Sequence, residues 1–144
     1  QLWPSIVTAG WSDSVRGARK FEVYGQRDNP RLVAFEAAVD FVDLLGMAKV
    51  ERRLEQVATR LKQQLAEIPG MKLKTPMDWA VSGEVVKFQL HGKATGQLYD
   101  TLYAKHRVAL AQTASGDAEG LRFSPHIYNT LEEMDRLAAI VRTL

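Results

Sequence analysis

Residues 121–129 read Leu-Arg-Phe-Ser-Pro-His-Ile-Tyr-Asn (LRFSPHIYN), and this stretch predicts a strand, a turn and the entry to a helix. If residues 120–124 form a strand, alternation places Leu121 on one face of a sheet and Arg122 on the other. Pro125 directs the chain out of the strand because proline cannot donate to the hydrogen-bond ladder. The stretch therefore indicates a sheet strand that leads through a turn into a helix.

Two helices are predicted upstream of the sheet. Asn29 can cap a helix, and Pro30 suits its first position, where no amide donor is needed. Over residues 31–45 apolar side chains cover most of the helix circumference, which predicts a largely buried helix that Gly46 ends as a left-handed cap. Residues 48–67 carry a single apolar stripe and predict a second helix. The polar side chains of this second helix are expected to face water: Glu51, Arg52, Arg53, Glu55, Arg60, Lys62 and Gln63.

The second half of the chain alternates strands and helices. Thr130 and Glu133 form a capping box at the start of the last helix. The order of two helices, two strands, a helix, two strands and a helix predicts a two-layer α/β (α+β) domain, in which helices cover one face of a small, mainly antiparallel sheet. The predicted strands are 71–74, 84–91, 108–112 and 120–124, and the predicted helices are 95–106 and 131–144.

The composition describes one globular domain and excludes several classes of function. The chain has 144 residues, 46% of them hydrophobic, and 19 basic against 17 acidic residues give a net charge of +2. So small an excess of bases does not indicate nucleic-acid binding. Cysteine is absent, which excludes disulfides, thiolate catalysis and cysteine-based metal sites. No apolar run is long enough to cross a bilayer, so we expect a soluble protein without membrane association, with the cytoplasm as its default location.

Familiar catalytic and metal-binding motifs do not occur in the sequence. It contains no GxxxxGK phosphate loop, no GxGxxG, no HExxH and no GxSxG. His91, His106 and His126 lie far apart, without the spacing of paired metal ligands. We therefore expect no metal site.

Arg122 is the strongest candidate for a binding residue. A guanidinium that projects from a sheet can clasp a carboxylate with two parallel hydrogen bonds, which a lysine cannot reproduce. His126 and Asn129 fall in the turn that follows. The alternative is a strand, a turn and a capping Asn129, with Arg122 as a solvated surface charge, because surface arginines greatly outnumber ligand arginines. The residues taken alone leave both interpretations open.

The run from Leu121 to Leu137, LRFSPHIYNTLEEMDRL, resembles the segment near the C-terminus of class V aminotransferase-type enzymes. This group contains cysteine desulfurases, selenocysteine lyases and isopenicillin N epimerase-like proteins, and an Arg-x-Ser strand, a Tyr-Asn turn and an acidic capped helix recur in it in this order. The resemblance implies that Arg122 binds the α-carboxylate of an amino-acid substrate and that His126 belongs to the same substrate site. His126 also places the chain closer to the epimerase-like branch than to the desulfurases.

A second stretch, Phe21 to Pro30 (FEVYGQRDNP), resembles the family's Phe-Glu-x-x-Gly-Thr-Arg-Asp segment. In the family this loop reaches the cofactor phosphate of the opposite subunit of a dimer, which implies a cofactor-binding role for Gly25, Gln26 and Arg27. Gln26 replaces the usual threonine, and its longer amide can still donate to a phosphate. For Arg27 an ion pair with a neighbouring carboxylate such as Asp28 is the alternative.

The resemblance covers nearly the whole chain and implies the C-terminal small domain of a fold type I, pyridoxal phosphate-dependent enzyme that works as a homodimer. Residues 1–30 would belong to, or cross, a large domain, and residues 31–144 would form the small domain with residues 31–45 as its linking helix. In the family the lysine that carries the cofactor lies upstream in a Ser-x-His-Lys context, which is missing from this sequence. The resemblance therefore implies a fragment without a catalytic residue of its own, inactive alone and binding no cofactor by itself.

Two other functions remain in competition with that one. A chain of this length can be a freestanding α/β module that binds a ligand or a protein and regulates it. RNA binding on the sheet ranks last, because it requires exposed aromatic side chains on the strands, and Phe88 and Phe123 are too few.

Overall fold

The computed structural model describes residues 17–18, 27–113 and 119–144. The chain divides into two compact units, residues 1–44 and residues 45–144. The helices are α1 (Asn29–Leu45), α2 (Met47–Ala66), α3 (Thr95–His106) and α4 (Leu131–Arg142), with a 3-10 turn at Trp79–Val81. The strands are β1 (Met71–Leu73), β2 (Val86–Leu90), β3 (Ala111–Thr113) and β4 (Gly120–Phe123).

The four strands form one sheet in the order β1-β2-β4-β3. All three neighbouring pairs are antiparallel. Helices pack against the sheet and against one another, with α2 in contact with α4, β1 and β2, and α3 in contact with β3 and β4. The predicted α/β architecture with a small antiparallel sheet is confirmed.

The core of the second unit lies between the sheet and its helices. Burial along β2 alternates, with Val86, Phe88 and Leu90 buried and the residues between them half-buried, as expected for a sheet that is covered on one face. The stripe predicted on α2 is also buried. The buried apolar residues are Val57, Ala58, Leu61, Leu65, Ile68, Val86, Phe88, Leu90, Leu98, Leu102, Leu121, Met134, Leu137, Ala138 and Val141.

β3 begins three residues later than the predicted strand and ends one residue later, and the end of α3 explains the late start. Arg107 has a left-handed backbone, with φ 56° and ψ 36°, and its amide closes the helix on the carbonyls of Leu102 and Tyr103. The amide of Val108 also donates to the Leu102 carbonyl, at 3.0 Å. The backbone groups that a strand would need at residues 107–108 are therefore used by the helix end.

The α1 helix departs from its prediction in burial and at its first residue. None of its residues is buried in the described part of the chain, and Phe35 and Leu44 are 69% and 82% exposed, so the prediction of a largely buried helix is wrong for this chain. Asp28, and not Asn29, accepts from the first turn, where the Arg31 amide lies 3.3 Å from Asp28 Oδ1. Gly46 has a positive φ of 82°, but its ψ of 117° is not that of a left-handed helix, so the predicted left-handed cap is wrong.

Candidate carboxylate-binding site

Arg122 lies in the middle of β4 and is exposed. Its Cα is paired with Lys87 on β2 and with Ala111 on β3, so the guanidinium has strands on both sides. Leu121, the preceding residue, is fully buried on the opposite face. The predicted alternation is thus confirmed, and Arg122 projects from the face of the sheet that is turned away from the core.

This open face of the sheet is basic. Lys87 stands directly opposite Arg122, and on β1 the exposed Lys72 is paired with Gln89 of β2. Lys74 follows the end of β1, and its amide donates to the carbonyl of Lys87 at 2.8 Å. Arg122 therefore has a lysine directly across from it on this face.

Gly120 allows β4 to approach β2 closely just before Arg122. Its φ is +150°, and a Cβ at this position would lie 2.8 Å from the carbonyl oxygen of Phe88 and 3.5 Å from Cε of Lys87. A larger residue would push the two strands apart or displace the lysine stem. The glycine therefore fixes the spacing between Lys87 and the strand that carries Arg122.

The turn after β4 is held by its own side chains. The amide of His126 donates to Oδ1 of Asn129 at 2.7 Å, and the Asn129 amide group donates to Glu133 at 2.9 Å. The predicted capping box is confirmed, since the Glu133 amide donates to Thr130 Oγ1 and the Thr130 amide donates to the Glu133 carboxylate. The bond from Asn129, followed by the backbone bond from Thr130, lowers the pKa of Glu133.

His126 is exposed in this turn, and its ring stacks on that of Tyr128 with centroids 4.8 Å apart and planes inclined by 28°. Arg122 lies on the strand and His126 lies past the proline, so the two predicted substrate residues belong to neighbouring but different pieces of backbone.

Arg53 of α2 anchors the same turn from the other side, a role that the sequence did not reveal. Its guanidinium donates to the carbonyl of Asn129 at 2.6 Å and approaches that of Ile127 at 3.5 Å. Seven residues further along the helix, Arg60 forms a two-bond ion pair with Asp135 of α4, at 2.7 and 3.0 Å. The periodicity of α2 assigns both arginines to the water-facing side and gives no sign of partners about 75 residues later.

Lys62 is buried, so the prediction that it faces water is wrong. Its ammonium donates to the carbonyls of Pro76 and Met77, at 3.0 and 2.9 Å, and to Ser82 Oγ at 3.1 Å. Burial lowers its pKa, against the opposing charges of Asp78 and Glu55. All three donors of the ammonium are satisfied, which makes this lysine a tie between α2 and the segment before β2.

Of the three residues predicted to contact a cofactor, Gly25 and Gln26 lie outside the described residues. Arg27 is exposed just ahead of α1, and its carbonyl accepts from the Asn29 amide at 3.0 Å. Its predicted partner Asp28 is engaged by Arg31, whose Nε lies 2.9 Å from Oδ2.

The described residues contain neither a cluster of metal ligands nor a membrane-spanning helix. Among residues 17–18, 27–113 and 119–144, no group of three or more histidine, aspartate or glutamate side chains could hold a metal ion. No helix in this part of the chain is long and apolar enough to span a membrane.

Comparison with known proteins gives a consistent result. The family model for aminotransferase class V matches residues 18–137. Isopenicillin N epimerase of Amycolatopsis lactamdurans is 32% identical over 127 residues, and the probable cysteine desulfurase 2 of Mycobacterium leprae is 29% identical over 142 residues. Each match covers 88% of this chain and 32% of the relative, so the chain spans about a third of the length of these curated relatives.

The fold also has solved counterparts. The apo structure of a cysteine desulfurase from Thermococcus onnurineus superposes with a TM-score of 0.75 at 19% identity, over 90% of this chain and 34% of that one. The family model alone matches far more than half of the sequence. The chain belongs to the aminotransferase class V family.

Proposed function

We propose that the chain is the C-terminal small domain of a pyridoxal phosphate-dependent enzyme that acts on an amino acid, and that Arg122 binds the α-carboxylate of the substrate. The observation that carries this proposal is the position of Arg122, exposed in the centre of a basic sheet face with Lys87 opposite. A guanidinium there can form two parallel charge-assisted hydrogen bonds with a carboxylate. One of the matched relatives is named a probable cysteine desulfurase, and cysteine is an amino acid, which supports this substrate class.

The described residues suit the anionic groups of substrate and cofactor, but not the attachment of the cofactor itself. Lys62 is the buried lysine among them, and all three of its donors are engaged by Pro76, Met77 and Ser82. We infer that the lysine that carries pyridoxal phosphate lies in a part of the protein outside this sequence. The cofactor, when bound, accepts electron density from Cα of the substrate.

Other residues of this chain have supporting roles in the proposal. His126, exposed beside the end of β4, contacts the substrate, and Arg27, with Gly25 and Gln26, contacts the phosphate of the cofactor in a homodimer. Epimerisation, lyase chemistry and desulfuration all begin with a bound amino acid. The role of Arg122 is therefore common to all three, and the chain alone is expected to be inactive.

Arg122→Ala tests the proposal in the holoenzyme that contains this domain. We expect kcat/KM for the amino acid to fall at least about a hundredfold, which corresponds to roughly 3 kcal/mol, because a desolvated charge pair is lost. Arg122→Lys restores the charge without the planar fork and should recover only part of the loss.

Arg142→Ala is the matched control, since Arg142 is an exposed arginine that pairs with Glu67 at 3.4 Å. It should leave the kinetics unchanged. The urea midpoint of Arg122→Ala should equal that of the parent, because Arg122 is exposed. Unaltered kinetics in Arg122→Ala would remove the basis of the proposed role.

A further inference from the structure

A cavity of about 340 Å³ opens where the end of α3, the end of β4 and the first turns of α4 meet. This volume is within the range of sites that bind small molecules. One part of its wall is apolar and consists of Val108, Phe123 and Leu137. The guanidinium-bearing residues Arg107 and Arg136 also line it. The cavity thus combines an apolar wall with two cations.

Arg107 occupies its place in an unfavourable backbone conformation. It is the one non-glycine residue with a positive φ in the described part of the chain. Helices most often end in this way at a glycine, which has no Cβ to clash. Strained backbone of this kind clusters at binding sites, where the side chain has a use that offsets the strain.

Arg136 is held next to Arg107 by the same helix end. Its Nη2 donates to the carbonyl of His106, the residue that precedes Arg107, at 3.3 Å. This bond connects α4 to the last turn of α3 and uses one of the five N–H donors of the guanidinium. Arg136 is therefore tied to the helix end that carries Arg107, and both residues line the cavity.

One acidic residue in the described lining opposes the two arginines, and its carboxylate interacts with the charge of Arg136. Glu133 lies in the wall, and its carboxylate accepts from Asn129 and from the amide of Thr130. The cavity therefore carries two positive charges against one negative charge that is already engaged in the cap of α4. Ser124 and Tyr128 add hydroxyl groups to the wall.

We propose that this cavity binds a small organic carboxylate with an apolar body. The carboxylate lies against Arg107 and Arg136, where the planar guanidinium groups match its two oxygens. The body of the ligand packs on Phe123 and Leu137. The lining contains neither Arg122 nor His126, the two residues proposed to bind the substrate, although Tyr128, which stacks on His126, lies in the wall.

Benzoate is a suitable probe, with benzamide as its neutral counterpart of the same shape. Chemical shifts of the purified chain are followed during titration with each compound. We expect benzoate to perturb residues of the wall with saturation and benzamide to bind at least about tenfold more weakly, because a charge-assisted bond is lost. Equal binding of benzamide, equal binding of inorganic phosphate, or no binding of benzoate at millimolar concentrations overturns the proposal.

The Arg107→Gly variant tests whether the side chain of Arg107 contributes to benzoate binding without being needed for folding. Glycine adopts the left-handed conformation without strain, so the urea midpoint should stay the same or rise, while benzoate binding weakens about tenfold. Lys105→Ala, which removes a cation from the last turn of α3 outside the lining, should leave benzoate binding unchanged. Parent-like affinity in Arg107→Gly, or an equal loss in Lys105→Ala, contradicts the site.

Discussion

At the scale of the residue, Lys62 holds a whole loop segment in place through its ammonium group. Its side chain extends from α2 and is buried, and its ammonium donates hydrogen bonds to the carbonyls of Pro76 and Met77 and to the hydroxyl of Ser82. An ammonium is tolerated in the interior only when its donors are satisfied, and here all three are. The segment that leads into β2 therefore depends on this one charge for its position.

Replacing Lys62 with methionine should lower the free energy of unfolding by about 2 kcal/mol. The apolar stem is conserved, but two carbonyl groups and a hydroxyl lose their donor inside the domain. Urea unfolding followed by circular dichroism measures the change. Lys49→Met, at an exposed position of the same helix, is the control and should change stability by no more than about 0.5 kcal/mol. A Lys62→Met chain as stable as the parent would show that these three bonds contribute nothing.

Single-residue properties divide sharply into those that sequence can predict and those that it cannot. The alternation of Leu121 and Arg122 follows from the geometry of any strand, and it is confirmed. The burial of Lys62 and the bonds of Arg53 depend on loops that fold back from 14 to 76 residues away. Helical periodicity contains no information about such partners, so it assigned both side chains to water.

At the scale of the element, α4 has the most completely specified start in the domain. Thr130 and Glu133 cap it reciprocally, and Asn129 fastens the preceding turn to the same carboxylate. Asp135, one turn further, is held by Arg60 of α2, which lowers the pKa of the aspartate. Two carboxylates whose pKa values are lowered thus connect α4 to its neighbours.

Stability should fall in acid for this reason. The folded-state pKa of Glu133 lies below its ordinary value of 4.5, and that of Asp135 lies below 3.8. For groups whose pKa is lowered on folding, the stabilisation is complete above the ordinary value and is lost as pH falls through the folded value. Urea unfolding measured in steps from pH 6 downward to about pH 3 should show this decline.

Glu133→Gln isolates the contribution of the cap. Glutamine preserves the reciprocal hydrogen bonds of a capping box but does not titrate in this range. The variant should therefore show a shallower decline in acid than the parent, whereas Glu36→Gln, at an exposed position of α1, should decline as the parent does. Parallel curves for Glu133→Gln and the parent would rule out the cap as a source of acid sensitivity.

At the scale of the element, the bounds of a strand are hard to predict where the end of a neighbouring helix uses the same backbone groups. The four described helices and the strands β1, β2 and β4 lie within two residues of their predicted bounds. β3 is displaced because the end of α3 takes the amides of Arg107 and Val108. The sequence around residue 107 has no glycine to announce this helix end, so the strand was predicted too early.

At the scale of the whole molecule, α1 stands out by its exposed apolar surface. Leu32, Val33, Phe35, Phe41 and Leu44 are each more than half exposed. Exposed apolar surface of this extent favours association with other protein surface. The chain spans about a third of the length of its curated relatives.

The purified chain should therefore self-associate as its concentration rises. Replacing Phe35 and Phe41 together with glutamate puts charges on α1, and the fraction of oligomer measured by sedimentation velocity should fall. Gln63→Glu, which adds a charge at an exposed position of α2, should leave the oligomer fraction unchanged. A chain that stays monomeric at every concentration would contradict a role for α1 in association.

The contacts between α2 and α4 also determine when the second unit can fold during synthesis. Arg53 and Arg60 can form their bonds only after residues 129 and 135 have been synthesised. The apolar stripe of α2 is fully covered only when Met134, Leu137 and Val141 of α4 are present. Closing contacts of such long sequence separation is slow. The ribosome must release almost the entire unit before the side of α2 that faces α4 is covered, although β1 and β2 can pack on α2 earlier. Until α4 is released, that part of the apolar stripe remains exposed.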